Sequence, residues 1–181
     1  MFTLNHAISP EDSFDIEKAM SYLVTNYNKS GHNPKPVILH SLRIANMLME
    51  MGYSKKILIG AVLHDIIEDT NVTDEQLKND FGKEVLDLVT AVSYDESISD
   101  PVEQYKDMYD RVLAYGKDAV VLKSVDIAVN SLYIDLVPDP VKRRQLVEKG
   151  TYFLDLMKAF SSEPAWQLLK TRNLEEIAKL S

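Results

Sequence analysis

Between Ile57 and Ile67 the chain reads ILIGAVLHDII, aliphatic except for Gly60, His64 and Asp65. An unpaired carboxylate in a helix this apolar costs several kcal/mol, so Asp65 must be paired, hydrogen-bonded or bound to a metal. At ~100° per residue, Glu68 falls about 40°, Asp65 about 100° and Asp69 about 140° around the axis from His64, spreading four ligating or titrating groups over one face. A second run, Ala119 to Val129, is again mostly aliphatic yet carries Asp126. On the same wheel Asn130 lies about 40° and Lys123 about 60° from Asp126, so carboxylate, amide and ammonium share a face. His40 is the third piece, in the otherwise apolar run Val37 to Met51.

Each of these alone has an ordinary explanation: His40 as a packed core histidine, Asp126 as half of an interhelical ion pair, His64-Asp65 as a chance dipeptide. Their conjunction predicts a single metal site held by His40, His64, Asp65 and Asp126. The chain has no cysteine, which excludes zinc-thiolate sites, thiol nucleophiles and disulfide frameworks together. Two imidazoles are too many for a typical Ca²⁺ or Mg²⁺ site, so the donor set fits Mn²⁺, Fe²⁺ or Co²⁺ better. Of the remaining histidines, His6 lies in the N-terminal stretch and His32 in a Gly/Asn/Pro loop, which favours a mononuclear centre. Lys123, beside Asp126, is a candidate for offsetting substrate charge, as is Arg43, three residues beyond His40.

The elements that must position these residues read as helices almost throughout. A Ser13 or Asp12 cap opens the first, which Gly31 stops; the second runs from Pro36 to Gly52; Ser54 caps a third that continues through His64 to Thr70. Thr73 and Gln76 form a capping-box pattern before a short helix ending near Phe81, and KEVLDLVTAV follows Gly82. Asp100-Pro101 starts the next helix, which ends at Gly116. Asp118 to Leu136 reads as one long helix halted by Pro138, Pro140 begins another that passes Tyr152, and Pro164 to Leu180 reads as two short helices. Ser93 to Asp100 is a polar, acidic connection, and strand signals are weak.

Composition bounds the function. The 181 residues and 45% hydrophobic content fit one globular domain. A formal charge of −8 disfavours nucleic acid and anionic membranes while leaving a small anionic substrate open to a local cation or metal. The N-terminus lacks a signal-peptide pattern and no apolar run is long enough to span a bilayer, so a cytoplasmic protein is expected.

With these residues set out, the sequence resembles the HD superfamily of metal-dependent phosphohydrolases, whose signature is a His, a His-Asp pair and a distant Asp. Within it, AVLHDIIEDT at 61–70, FGKEVLDLVTAV at 81–92, LKSVDIAVN at 122–130 and KPVILH at 35–40 are similar to the RelA/SpoT-type hydrolase domain and the small alarmone hydrolases, over about residues 20–160. The resemblance implies an all-α, single-domain HD-type helical bundle over residues 1–181. The activity it implies is Mn²⁺-dependent removal of pyrophosphate from the 3′ position of (p)ppGpp. It assigns His40, His64, Asp65 and Asp126 to the metal and Glu68 and Asp69 to the hydrolytic step. It further assigns Asn130 to the ribose, Tyr152 to the nucleotide and Lys29 to phosphate. The chain departs from the family pattern at Asp126-Ile-Ala-Val-Asn130, where relatives carry Arg-Leu-His-Asn or similar. Further departures are the inserted His32-Asn33-Pro34 and Glu96, where related sequences often carry Lys. Another nucleotide phosphatase or 5′-nucleotidase of the superfamily, and a non-catalytic nucleotide-binding helical module, stand as alternatives.

Overall fold

The computed structural model describes residues 8–33 and 35–180; His6 and Pro34, and both ends of the 1–181 domain, lie outside them. Ten α-helices are described: α1 (Pro10–Ser30), α2 (Val37–Glu50), α3 (Lys55–Leu63), α4 (Ile66–Asp69), α5 (Asp74–Phe81), α6 (Lys83–Val92), α7 (Pro101–Tyr115), α8 (Lys117–Asn130), α9 (Pro140–Leu156) and α10 (Pro164–Leu180). No strand occurs among the described residues. The fold is an all-α bundle with α8 as its pillar: α2, α3, α6, α7 and α10 all pack on it. The sequence explains this placement, since α8 is buried from Ala119 through Asp126 and again at Ala128 and Val129. A helix apolar on every side is stable only when covered on every side, and each fully buried aliphatic side chain contributes roughly 1.5–3 kcal/mol. α3, buried from Ile57 through Leu63, follows the same logic against α1, α2 and α6.

Turn chemistry sets the corners. Gly82 (φ +87°) and Gly116 (φ +99°) each end one helix and begin the next, in a backbone region that only glycine enters without strain. The Thr73–Gln76 capping box and the Asp100 cap form as expected.

Four expectations are corrected. Helix α1 begins at Pro10 with Ser9, not Ser13 or Asp12, as its cap, because Pro at the first position leaves the Ser9 hydroxyl to accept the Asp12 N–H. The third helix does not run through to Thr70. It stops at Leu63, and after His64 and Asp65 (φ −101°, ψ 5°) a separate turn, α4, resumes. The Asp118–Leu136 helix is instead α8 followed by a 3₁₀ stretch, Ser131–Leu136, in which the Ser131 hydroxyl donates to the Ala128 carbonyl. Pro164–Leu180 is one helix, α10, held against α8 by Ala165, Trp166 and Leu169. No helix of the described residues is long and apolar enough to cross a membrane.

Candidate metal centre and substrate cleft

The break between α3 and α4 builds the centre. The backbone leaves helical geometry at Asp65, and at this break His64 and Asp65 meet His40 of α2 and Asp126 of α8. His64 Nδ1 lies 2.8 Å from the Ala61 carbonyl oxygen; since a carbonyl only accepts, Nδ1–H donates and the ring is fixed with Nε2 facing Asp65 and Asp126. His64 Nε2 stands 3.1 Å from Asp65 Oδ1 and 3.6 Å from Asp126 Oδ1, and His40 Nε2 stands 3.1 Å from Asp126 Oδ1. Ligand atoms of His40, His64 and Asp65 fall within 4.8 Å of one another, and all three residues are buried. The four residues singled out as ligands therefore meet, from α2, the α3–α4 break and α8.

The donor set fits a divalent cation. His64 Nε2 is buried without a hydrogen-bond partner, an arrangement that costs energy unless a ligand occupies it. Burial opposes charge on the His64 ring, but the Asp65 and Asp126 carboxylates outweigh it and push its pKa up to about 10. The site attracts a cation at Nε2, whether a proton or a metal ion in its place. Burial raises Asp65 and Asp126, but His64 next to Asp65, and Lys123 next to Asp126, more than offset this and keep both carboxylates ionised well below their usual range. These residues could hold a divalent ion through nitrogen and oxygen donors.

A cleft of about 170 Å³ opens from this centre. One end carries Asp65, Asp126, Glu68, Lys35 and Lys123; Tyr94 and Tyr109 form a wall, and Ile127, Asn130, Ser131, Ile134, Leu146, Lys149, Leu169 and Asn173 line the rest. Glu68 projects into the cleft and accepts the Tyr94 N–H at 2.9 Å, which fixes its carboxylate. Asp69, next in sequence, does not line the cleft; its Oδ1 accepts from Asn33 Nδ2 at 2.9 Å and its Oδ2 is buried without a partner. Both acids titrate above the ordinary range, in each case from burial first and Asp65 after it, rather than from each other as their spacing suggests.

The substrate-contact candidates divide. Asn130 lines the cleft and donates to Asp126 Oδ1 at 2.7 Å. Lys123 lines it too, paired to Asp126 Oδ2 at 2.9 Å and donating to the Val92 carbonyl. Tyr152 is half exposed and stands behind the wall, stacked on Tyr109 with ring centres 6.2 Å apart. Lys29 is exposed in the last turn of α1 and is not part of the cleft lining. Arg43 reaches Tyr133 instead of the cleft.

Sequence reasoning missed Lys35, whose Nζ meets Asp65 Oδ2 at 2.7 Å. Asn33 positions it: Asn33 Oδ1 accepts the Lys35 N–H while its amide binds Asp69. The signal was the inserted His32-Asn33-Pro34 immediately before Lys35, since a segment of that composition next to His40 has a turn to make. Tyr94, Tyr109, Lys149 and Asn173 reach the cleft through long-range packing that carries no local signal.

Fold and site together define a helical protein with a buried His/carboxylate centre at the root of a cleft. Residues 19–118 match the HD domain family, and the chain belongs to it. It is similar to the guanosine-3′,5′-bis(diphosphate) 3′-pyrophosphohydrolase of Aquifex aeolicus, 31% identical over 114 residues, covering 62% of this chain and 16% of the relative. It is also similar to the GTP pyrophosphokinase of Myxococcus xanthus, 29% identical over 148 residues, covering 75% of this chain and 19% of the relative. The chain thus spans a fifth or less of the length of these two relatives. A solved structure described as a metazoan ortholog of SpoT that hydrolyses ppGpp covers all of both chains with a TM-score of 0.74 at 18% identity, which establishes the shared fold.

Proposed function

We propose that this protein is a metal-dependent phosphohydrolase acting on a nucleotide, and that its substrate is guanosine 3′,5′-bis(diphosphate), from which it removes the 3′ pyrophosphate. The observation that carries the reading is His64 Nε2, buried, without a hydrogen bond and aimed at two ionised carboxylates where the cleft begins. The names of the relatives support the substrate. We assign the metal to His40, His64, Asp65 and Asp126, and take it to be Mn²⁺, with Fe²⁺ or Co²⁺ as substitutes. When bound, such an ion supplies a Lewis acid for a phosphoryl oxygen and acidifies water.

The chain's own residues do the rest. Glu68, raised by burial and held by the Tyr94 N–H, takes a proton from the attacking water and delivers one to the departing ribose 3′ oxygen as the phosphorus–oxygen bond breaks. Asp69 holds Asn33, and through it Lys35, in place. Lys35 and Lys123, paired to Asp65 and Asp126, line the end of the cleft where the phosphate to be cleaved goes, and Asn130 orients the ribose. Tyr94 and Tyr109 stay neutral, burial raising both, and exclude water from one side. Residues 1–181 act here as one HD-type domain, in the cytoplasm.

Ile127 favours a second reading: an uncharged residue directly after Asp126 on the cleft wall suits a less charged nucleotide, as in a nucleoside monophosphatase. One experiment tests both. Purified protein with Mn²⁺ is offered ppGpp and a panel of nucleoside mono- and triphosphates, and the released species is identified. Pyrophosphate from ppGpp is expected, orthophosphate from a monophosphate marks the second reading, and no release from any substrate overturns both. E68Q retains the ion, measured by electron paramagnetic resonance of Mn²⁺, and loses roughly 10²–10⁴-fold in turnover.

A further inference from the structure

Three lysines line the cleft, and two are committed to carboxylates: Lys35 to Asp65 at 2.7 Å and Lys123 to Asp126 at 2.9 Å. The third, Lys149 on α9, makes no ion pair among the described residues. Its Nζ sits 4.6 Å from the centre of the Tyr105 ring, half buried. Burial, and then the charge of Lys123, lower its pKa. An ammonium kept partly out of water with no counter-charge is a cost that an anionic ligand would remove.

The chemistry of that ligand follows from which charges are already spent. At the metal end, Asp65 and Asp126 match Lys35 and Lys123, and the group to be cleaved goes there. A nucleotide with one phosphate group would leave Lys149 as it is. Resting on the phosphohydrolase reading above, we propose that Lys149 binds a phosphate group other than the one being cleaved, so that the cleft selects nucleotides phosphorylated at two separate positions. The cleft also carries Ile127 of α8, which brings no charge of its own.

The test compares two ligands that differ only at the 5′ position, guanosine 3′,5′-bisphosphate and guanosine 3′-monophosphate, by calorimetry on the wild type, K149M, K149Q and K149R. The wild type is expected to bind the bisphosphate roughly tenfold or more tightly, as a charge-assisted contact implies. K149M and K149Q bring the two ligands to within about twofold, and K149R keeps the preference. Hydrolysis of ppGpp by the same proteins separates this proposal from the reading beneath it. Turnover with an unchanged preference in K149M and K149Q refutes the role of Lys149 and spares the hydrolase. A preference lost in those variants without any wild-type turnover supports Lys149 as a phosphate ligand and refutes the hydrolase. A wild type that binds the two ligands equally, or neither, overturns the proposal.

Discussion

Helices α8 and α9 border the same cleft with opposite solutions to the problem of charge. Lys123 and Asp126 of α8 are buried and bonded to each other, in a helix covered on almost every side. α9 is exposed at Lys142, Arg144, Gln145 and Glu148, and its charged side chain in the cleft, Lys149, makes no ion pair among the described residues. Paired and buried charges shape the protein, while a half-buried charge without a partner is left for something else to satisfy.

Substitution on the α8 side should be the more damaging. D126A removes the group that holds His40, Lys123 and Asn130 at once and strands a buried ammonium. A loss of about 3–5 kcal/mol is expected, lowering the midpoint by ~10 °C at roughly 2–4 °C per kcal/mol, together with loss of metal uptake. Calorimetric unfolding and elemental analysis check both, and an unchanged midpoint would show that α8 does not depend on the pair.

The α9 side should lose selectivity before stability. In G150A the new Cβ would sit 2.6 Å from Asn173 Oδ1, a buried side chain already bonded to Thr151 Oγ1. Overpacking of this kind costs about 1–3 kcal/mol, and the displaced Asn173 alters the cleft wall while the metal centre is untouched. Reduced nucleotide affinity at full metal occupancy is the expected outcome; reduced metal occupancy would mean that the two sides are not separable.

The smallest effect is in pH dependence. A lysine whose pKa is lowered loses its charge earlier as pH rises, so its grip on phosphate is present at neutral pH and fades below the ordinary lysine value. The groups around it are Tyr105 and Tyr109 of α7, Lys123 of α8 and Tyr152 of its own helix. Between about pH 8 and pH 10, where phosphate has already lost its second proton, preference for the bisphosphate over the monophosphate is expected to fall in the wild type and hold in K149R. Equal falls in both would locate the titration elsewhere.

This contrast also marks how far the sequence could be read. His40, His64, Asp65 and Asp126 were legible because polar residues in aliphatic helices have to be accounted for, and the structure brings them together. The break after Leu63 was not, because ILIGAVLHDIIEDT has uninterrupted helical character and the interruption comes from tertiary demands on His64 and Asp65. Lys29 looked suitable beside Ser30 and Gly31, yet lies exposed, and the loop lysine two residues before Val37 reaches the centre instead. Lys149 is hidden among Lys142, Arg143 and Arg144 in a helix whose pattern marks no face as special, and only the packing of α7, α8 and α10 around the cleft distinguishes it.

The ion pairs of Lys35 and Lys123 bear on how the protein is assembled in time. Because each carboxylate at the root of the cleft already has an ammonium of its own, the chain can complete its folding before any ion arrives, unlike the small zinc modules that stay unfolded until loaded. An ion held by these residues would then be loaded onto a chain already folded.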